Sequence, residues 1–143
     1  MNTDGYFVME KVETVSKVAG EVITTRTAKV WIGEDGISRV IRHPGAEEGL
    51  ADAKEIIEAG GKLAKGEKIL NLSDIRGLKS ASREARQYFR METSKYLIAS
   101  AALVDSQISR MVGNFYIAVN KPDYPIKIFT SETKAIEWLK GFL

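Results

Sequence analysis

Two stretches between residues 21 and 41 have the hydrophobic pattern of β-strands. Residues Glu21–Ile32 are rich in β-branched side chains and alternate in polarity toward their end, as half-buried strands do. A second strand pattern follows at Ile37–Ile41. Asp35 and Gly36 lie between the two runs, and an Asp-Gly pair is typical of tight hairpin turns. The pattern therefore predicts an antiparallel hairpin near the amino end of the chain.

Helical spacing begins after the hairpin. In four later segments, apolar side chains recur at three- and four-residue steps and share one face of a helix. These predicted helices are Glu47–Ala64, Ala81–Thr93, Gln107–Val119 and a last one that follows Thr130 and Ser131. We expect Glu47 and Glu48 in the first turn of the first helix, because acidic groups favour the positive end of the helix dipole. Asp52, Glu55 and Glu58 would then lie on its solvated outer face.

Three short apolar runs lie between these helices. Lys68–Ser73, Ile98–Val104 and Ile126–Phe129 have the pattern of strands, and the first two are apolar at most of their positions, as strands covered on both faces are. Strands that alternate with helices favour a parallel sheet with right-handed crossovers. The predicted fold is α/β, with a mostly parallel central sheet, an N-terminal antiparallel hairpin and about four helices. We expect residues 1–20 to form an N-terminal arm and residues 21–143 to form one domain.

The composition narrows the class of protein without indicating a partner. Apolar residues make up 44% and charged residues 28% of the 143 residues, as in ordinary soluble domains. A net charge of +2 argues against nucleic-acid binding. No apolar run approaches the roughly 20 residues that span a bilayer, and the amino terminus has no secretory-signal pattern, so we expect a cytoplasmic protein. The sequence has no cysteine, which excludes disulfides, thiol nucleophiles and thiolate metal sites.

The sequence offers little for catalysis. His43 is the only histidine, and catalytic and metal sites need several converging groups rather than one. No phosphate-binding glycine loop and no nucleophile-elbow motif occurs. We therefore expect no enzyme activity, no cofactor and no metal.

The candidate functional stretch follows the strand at Lys68–Ser73. It combines a polar turn, the amino end of a helix and three arginines at positions i, i+3 and i+7 on one helix side. Arginines in this arrangement suit a phosphate, a carboxylate or an acidic partner. The alternative is an ordinary solvated helix face, because exposed charges normally need no partner. Ser80 or Ser82 can act as the cap of this helix, which is a structural role. A phosphate on one of these serines would instead gain charge-assisted hydrogen bonds at the amino end of the helix, which suits a switch. The candidate residues for contact and for a phosphorylation switch are Asp74, Ser80, Ser82, Arg83, Arg86 and Arg90.

This stretch and the order of the elements resemble the STAS superfamily. The chain looks most like uncharacterised bacterial proteins related to anti-sigma-factor antagonists, over about residues 24–143. The motifs that carry the resemblance are Gly36-Ile37, Asn71-Leu72-Ser73-Asp74, Ser82-Arg83-Glu84-Ala85-Arg86, Ala101–Ser109, Lys121-Pro122, Phe129-Thr130 and Trp138-Leu139. The resemblance implies a compact regulatory domain that binds other proteins without catalysis. It also implies Ser80 as the position that a partner kinase phosphorylates, although Lys79 stands where the family has an aspartate.

Two hypotheses about the function follow. In the first, the protein is a regulatory interaction module that contacts another protein, or a second copy of itself, through residues 74–90. In the second, the same fold binds a small ligand or a lipid head group. Aromatic side chains near the second and third helices would line such a pocket: Tyr88, Tyr96, Tyr116 and Trp138. Because aromatic residues more often fill cores, the first reading is the stronger one.

Overall fold

The architecture is a mixed sheet with helices on both faces. The computed structural model describes residues 20–107, 109–111, 113–114 and 122–143. The strands are β1 Ile23–Thr24, β2 Ala28–Ile32, β3 Ser38–Arg42, β4 Ala46–Glu48, β5 Ile69–Asp74, β6 Leu78–Ala81, β7 Leu97–Leu103 and β8 Ile126–Phe129. The helices are α1 Leu50–Ala64, α2 Arg83–Glu92, a 3-10 turn at Thr93–Lys95, α3 with described residues 107, 109–111 and 113–114, and α4 Glu132–Lys140. None of the helices described here is long and apolar enough to cross a membrane.

The main sheet has six strands in the order β1-β2-β3-β5-β7-β8. The first three pair antiparallel, and β3, β5, β7 and β8 pair parallel. The hairpin between β2 and β3 closes at Gly36, whose φ of +81° favours glycine. The backbone N–H of Ile37 donates to Asp35 Oδ1 at 3.1 Å. These features confirm the predicted fold class and its Asp-Gly hairpin, while the predicted arm at residues 1–20 lies almost wholly outside the described residues.

The two faces of the sheet bury different helices. On one face, Leu70 and Leu72 of β5 pack with neighbours from β7 against Ala135 and Leu139 of α4. On the other, Val30, Val40 and their neighbours pack against Ile56 and Ala59 of α1, and Phe89 of α2 covers the edge of that cluster. Strand alternation explains the division, because successive side chains of a strand point to opposite faces.

A row of polar side chains crosses three strands on the α1 face. Ser38 Oγ donates to Asn71 Oδ1 at 2.7 Å, and Asn71 Nδ2 donates to Ser100 Oγ at 3.3 Å. All three residues are buried and lie opposite one another in the strand pairing. The hydrogen bonds satisfy polar groups that would otherwise cost free energy in this interior.

The start of the first helix differs from the prediction. Ala46–Glu48 form strand β4, and α1 begins only at Leu50, so placing Glu47 and Glu48 in a first helical turn was wrong. Asp52 was also misplaced on the solvated face, since it is buried. Its Oδ2 accepts a hydrogen bond from the backbone N–H of Gly49 at 2.9 Å, which satisfies a donor at the helix start.

The predicted polar turn before the second helix was also partly wrong. Ser73 belongs to β5, in line with the predicted strand, but Leu78–Ala81 form β6, which pairs parallel with β4 in a separate two-stranded sheet. The second helix runs from Arg83 to Glu92, slightly shorter than the predicted range. The pairing with β4 connects residues more than thirty positions apart, so no local pattern revealed it.

Candidate functional site

The candidate site lies where β6 leads into α2. We call residues Leu78–Glu92 the β6–α2 surface. The pairing of β6 with β4 continues into the helix start, since the backbone N–H of Ser82 donates to the carbonyl of Glu48 at 2.9 Å. Ser82 Oγ then accepts from the backbone N–H of Ala85 at 3.1 Å. Ser82 is thus the helix cap, and the small sheet fixes where α2 begins.

A buried ion pair supports this surface from below. Arg42 Nε donates to Glu48 Oε2 at 2.8 Å, and the two side chains are 6% and 0% exposed. Thr27 Oγ1 donates to the same carboxylate oxygen at 3.0 Å, and Arg42 Nη1 donates to Ser73 Oγ at 2.8 Å. The Arg42 guanidinium also lies 5.5 Å from the centroid of the Phe89 ring. One arginine therefore connects β3, β4, β5 and α2.

The loop before β6 packs tightly onto the end of β3. A Cβ atom at Gly77 would lie 2.8 Å from the carbonyl oxygen of Arg42 and 2.9 Å from that of His43. The carbonyl of Gly77 accepts a hydrogen bond from the backbone N–H of Gly45 at 2.8 Å. Only glycine allows this approach of two backbone segments, so the position of the β6–α2 surface depends on Gly77.

The three predicted arginines share the outer side of α2 and are all exposed. Arg86 Nη1 donates to the carbonyl of Ala81, which holds this side chain against the end of β6. Within the described part of the chain, Arg83 and Arg90 make neither a hydrogen bond nor an ion pair. The structure therefore brings the three arginines to one side of α2, with Arg83 and Arg90 unpaired among the described residues.

The two predicted serines occupy different environments. Ser82 uses its hydroxyl as the cap of α2. Ser80 lies two residues earlier in β6, where it is exposed and sits opposite Glu47 of β4. Next to it, Lys79 Nζ lies 3.5 Å from the carboxylate of Glu47. Ser80 is thus the accessible hydroxyl, but it does not lie in the helix itself.

Asp74 is not part of the arginine face. It ends β5 and is buried, and its side chain alternates with Ser73, so it points to the α4 face of the sheet. Its carboxylate accepts hydrogen bonds from Arg76 Nη2 at 2.7 Å and from Arg76 Nε at 3.0 Å. The Asp74 carboxylate raises the pKa of Arg76 further, chiefly through these hydrogen bonds. The Asp74–Arg76 pair therefore lies at the carboxyl end of β5, on the opposite side of the sheet from α2.

Sequence reasoning missed the charged residues that anchor this region. Arg26 Nε and Nη2 each donate to the Asp52 carboxylate at 2.7 Å, and this hydrogen bonding lowers the pKa of Asp52. Arg42 and Glu48 were missed because their contact depends on tertiary packing. The one available signal was alternation, which places Arg42 on the same inner face as Val40.

An open depression of about 490 Å³ lies beside the β3–β4 loop. Its lining residues are Arg26, Thr27, His43, Pro44, Gly45, Ala46 and Glu47. The Arg26 guanidinium in this depression already has partners, since it donates hydrogen bonds to the Asp52 carboxylate and to the carbonyl of Glu47, the latter at 2.8 Å. His43 Nε2 lies 3.3 Å from the carbonyl oxygen of Thr25. Over the residues that the structure describes, no group of three or more His, Cys, Asp or Glu side chains could hold a metal ion.

Comparison with known proteins places this geometry in a fold and a family. No curated protein matches the chain. An uncharacterised protein of the DUF3478 family from Shewanella loihica PV-4, with a SpoIIAA-like fold, matches with a TM-score of 0.56 at 12% identity. The match covers 90% of this chain and 98% of that one, and it shows a SpoIIAA-like, STAS-like fold.

A second solved structure is a protein of unknown function from Arthrobacter sp. FB24. It is 31% identical over 78% of this chain and 97% of that chain, with a TM-score of 0.32. The family model described as "Domain of unknown function (DUF7793)" matches residues 30–143, which is most of the chain. The chain therefore belongs to the DUF7793 family.

Proposed function

We propose that the protein is a non-catalytic regulatory module that contacts another protein, or a second copy of itself, through the β6–α2 surface. One observation carries the proposal. Ala85 is the buried residue of α2, while the outer side of the same helix presents Arg83, Arg86 and Arg90. A helix that fully buries one residue and exposes two arginines with no partner among the described residues is suited to contact, since arginine is enriched at protein interfaces.

The rigid support of this surface strengthens the proposal. The Arg42–Glu48 pair and the close approach at Gly77 hold β6 and α2 in one position. A surface ordered before binding loses less conformational entropy on association, which favours affinity. The resemblance to anti-sigma-factor antagonists supports a regulatory role, and the SpoIIAA-like fold agrees with it.

Phosphorylation is the switch that we propose on this surface. The exposed hydroxyl of Ser80 is accessible to a kinase without disturbing the cap at Ser82. A phosphate on Ser80 would add negative charge next to the Lys79–Glu47 pair, attracting the lysine and repelling the carboxylate. The change in charge at the edge of the β6–α2 surface would alter which partner binds.

The small-ligand reading has less support. Tyr88 extends from α2 with Lys54 Nζ 6.0 Å from its ring centroid, whereas Trp138 packs against Phe129 and Phe142 near α4. These two aromatic residues lie on opposite faces of the sheet and do not line one pocket. Tyr116, a third residue of the predicted pocket, lies outside the described residues.

Quantitative capture from the native cell tests the proposed surface. The wild-type chain is compared with Arg83→Glu/Arg90→Glu and with the matched control Lys134→Glu/Lys140→Glu, which changes the same charge on exposed residues of α4. We expect the α2 variant to lose the captured protein and the α4 variant to retain it. Circular dichroism and thermal melting verify that both variants fold. Equal capture by all three folded chains would overturn the proposal.

Mass spectrometry of the captured chain tests the switch. We expect phosphate on Ser80 in one fraction of the protein and a different set of captured partners for the Ser80→Asp variant. If Ser80 carries no phosphate under any growth condition and Ser80→Asp captures the same proteins, the switch is wrong while the surface stands.

A further inference from the structure

The outer face of α2 has a definite chemical pattern. At about 100° per residue, Arg83, Gln87 and Arg90 share the centre of this face, with Arg86 at one border and Met91 at the other. All five side chains are exposed, and Met91 is 64% exposed. The face is therefore cationic along its centre with an apolar side chain at its rim.

The neighbouring carboxylates do not neutralise this face. Glu92 accepts hydrogen bonds from Lys95 Nζ at 3.1 and 3.3 Å, and Glu47 is paired with Lys79. Glu84, at the border of the face, forms no ion pair with either arginine among the described residues. Among the described residues, Arg83 and Arg90 are left without a counter-charge. Their planar guanidinium groups favour carboxylates, which they bind through two parallel hydrogen bonds.

We infer that the partner presents an acidic helical segment to this face. Its carboxylates would be spaced at i, i+3 or i+4, and i+7, to meet Arg83, Arg86 and Arg90, and an apolar side chain would cover Met91. The inference rests on the proposed function and names the chemistry of the partner at the same surface.

The dimensions favour a peptide segment over nucleic acid. Seven residues of helix rise about 10 Å from Arg83 to Arg90, which is the length of two turns of a partner helix. Specific nucleic-acid interfaces need a broader basic surface, typically above about 1,000 Å². Here Glu84 lies at the border of the face, Glu47 lies beside β6, and the whole chain carries a net charge of only +2.

A defined peptide tests the inference with the full chain. The probe is a synthetic amphipathic helical peptide with Glu at positions i, i+3 and i+7 and with Leu between them. Its matched control is the same peptide with Gln in place of the three Glu residues. Binding is followed by the amide chemical shifts of α2. We expect the Glu peptide to bind roughly tenfold more tightly than the Gln peptide, with weaker binding as salt rises.

The variants sharpen this result. Arg83→Glu/Arg90→Glu should weaken binding of the Glu peptide by about tenfold or more, and Lys134→Glu/Lys140→Glu should leave it unchanged. Equal binding of both peptides would overturn the inference. So would tighter arginine-dependent binding of a DNA duplex or of phosphatidylglycerol vesicles than of the Glu peptide.

A photo-crosslinking residue at position 87 separates this inference from the proposed function. We expect adducts in the native cell, with a partner segment that is acidic by mass spectrometry. An adduct with a neutral or basic protein segment would overturn the acidic partner and leave the interaction surface intact. No adduct at position 87, together with equal capture by the variants above, would overturn both.

Discussion

Helices α2 and α4 begin in the same way and differ in what they cover. Each starts at a serine whose Oγ accepts a backbone hydrogen bond three residues later, at 3.1 Å for Ser82 and 3.3 Å for Ser131. Helix α4 buries Ala135 and Leu139 completely, while α2 buries Ala85 and exposes its arginines. The two helices thus have the same kind of serine cap, but α4 packs into the core whereas α2 exposes most of one side.

The support beneath the two helices differs as well. Helix α4 rests on aliphatic side chains of β5 and β7. Near α2, an arginine and a glutamate are both buried and joined by hydrogen bonds. A buried ion pair resists displacement, because separating it leaves an uncompensated charge in the interior. The support of α2 therefore includes a fully buried ion pair, whereas the cluster that packs against α4 is apolar.

The largest effect on the free energy of unfolding is expected from breaking the Arg42–Glu48 ion pair near α2. Glu48→Gln leaves the Arg42 guanidinium buried without a counter-charge and should lower the free energy of unfolding by about 4 kcal/mol. The double variant Arg42→Met/Glu48→Leu removes both charges and should recover most of this loss. Urea unfolding measures both values. A loss below about 1 kcal/mol for Glu48→Gln would show that the pair does not hold this side of the fold.

A slightly smaller effect on the free energy of unfolding is expected from a substitution in the buried face of α4. Leu139→Ala leaves a cavity in the apolar cluster and should cost about 3 kcal/mol in the free energy of unfolding. Met91→Ala on α2 is the matched control, since Met91 is mostly exposed and its loss should stay within about 0.5 kcal/mol. Similar losses in the two variants, again from urea unfolding, would contradict the division between a core helix and a surface helix.

The smallest effect concerns the two caps. Ser82→Ala and Ser131→Ala each remove one hydrogen bond at a helix start, and each should cost about 1 kcal/mol. Because the two hydrogen bonds have similar lengths, thermal melting should give similar losses. A loss at Ser82 more than twice that at Ser131 would mean that the small sheet depends on the cap as well.

Local patterns predicted most of the main sheet. The Asp35-Gly36 turn, the apolar run of β5 and the serine caps act over a few residues, so the sequence alone reveals them. The β4–β6 pairing was not predictable in this way. Ala46–Glu48 contains two glutamates next to a helix, and that composition favours a first helical turn until the partner strand is known.

In the candidate site too, only the features that depend on local sequence were predicted. The spacing of Arg83, Arg86 and Arg90 follows from helix geometry alone, so their common face was visible in the sequence. The position of Asp74 relative to them depends on which face of the strand it occupies. The partnership of Arg42 with Glu48 depends on a strand that the sequence did not reveal.

The buried row of Ser38, Asn71 and Ser100 has a consequence for strand alignment. If β5 slid by two residues against its neighbours, every apolar side chain would still point to its proper face, so hydrophobic burial alone would tolerate the error. Asn71 would then lie between Val40 and Ala102, and its carboxamide would lose both hydrogen-bonding partners. Three small polar side chains thus select one alignment among several that an entirely aliphatic sheet would accept.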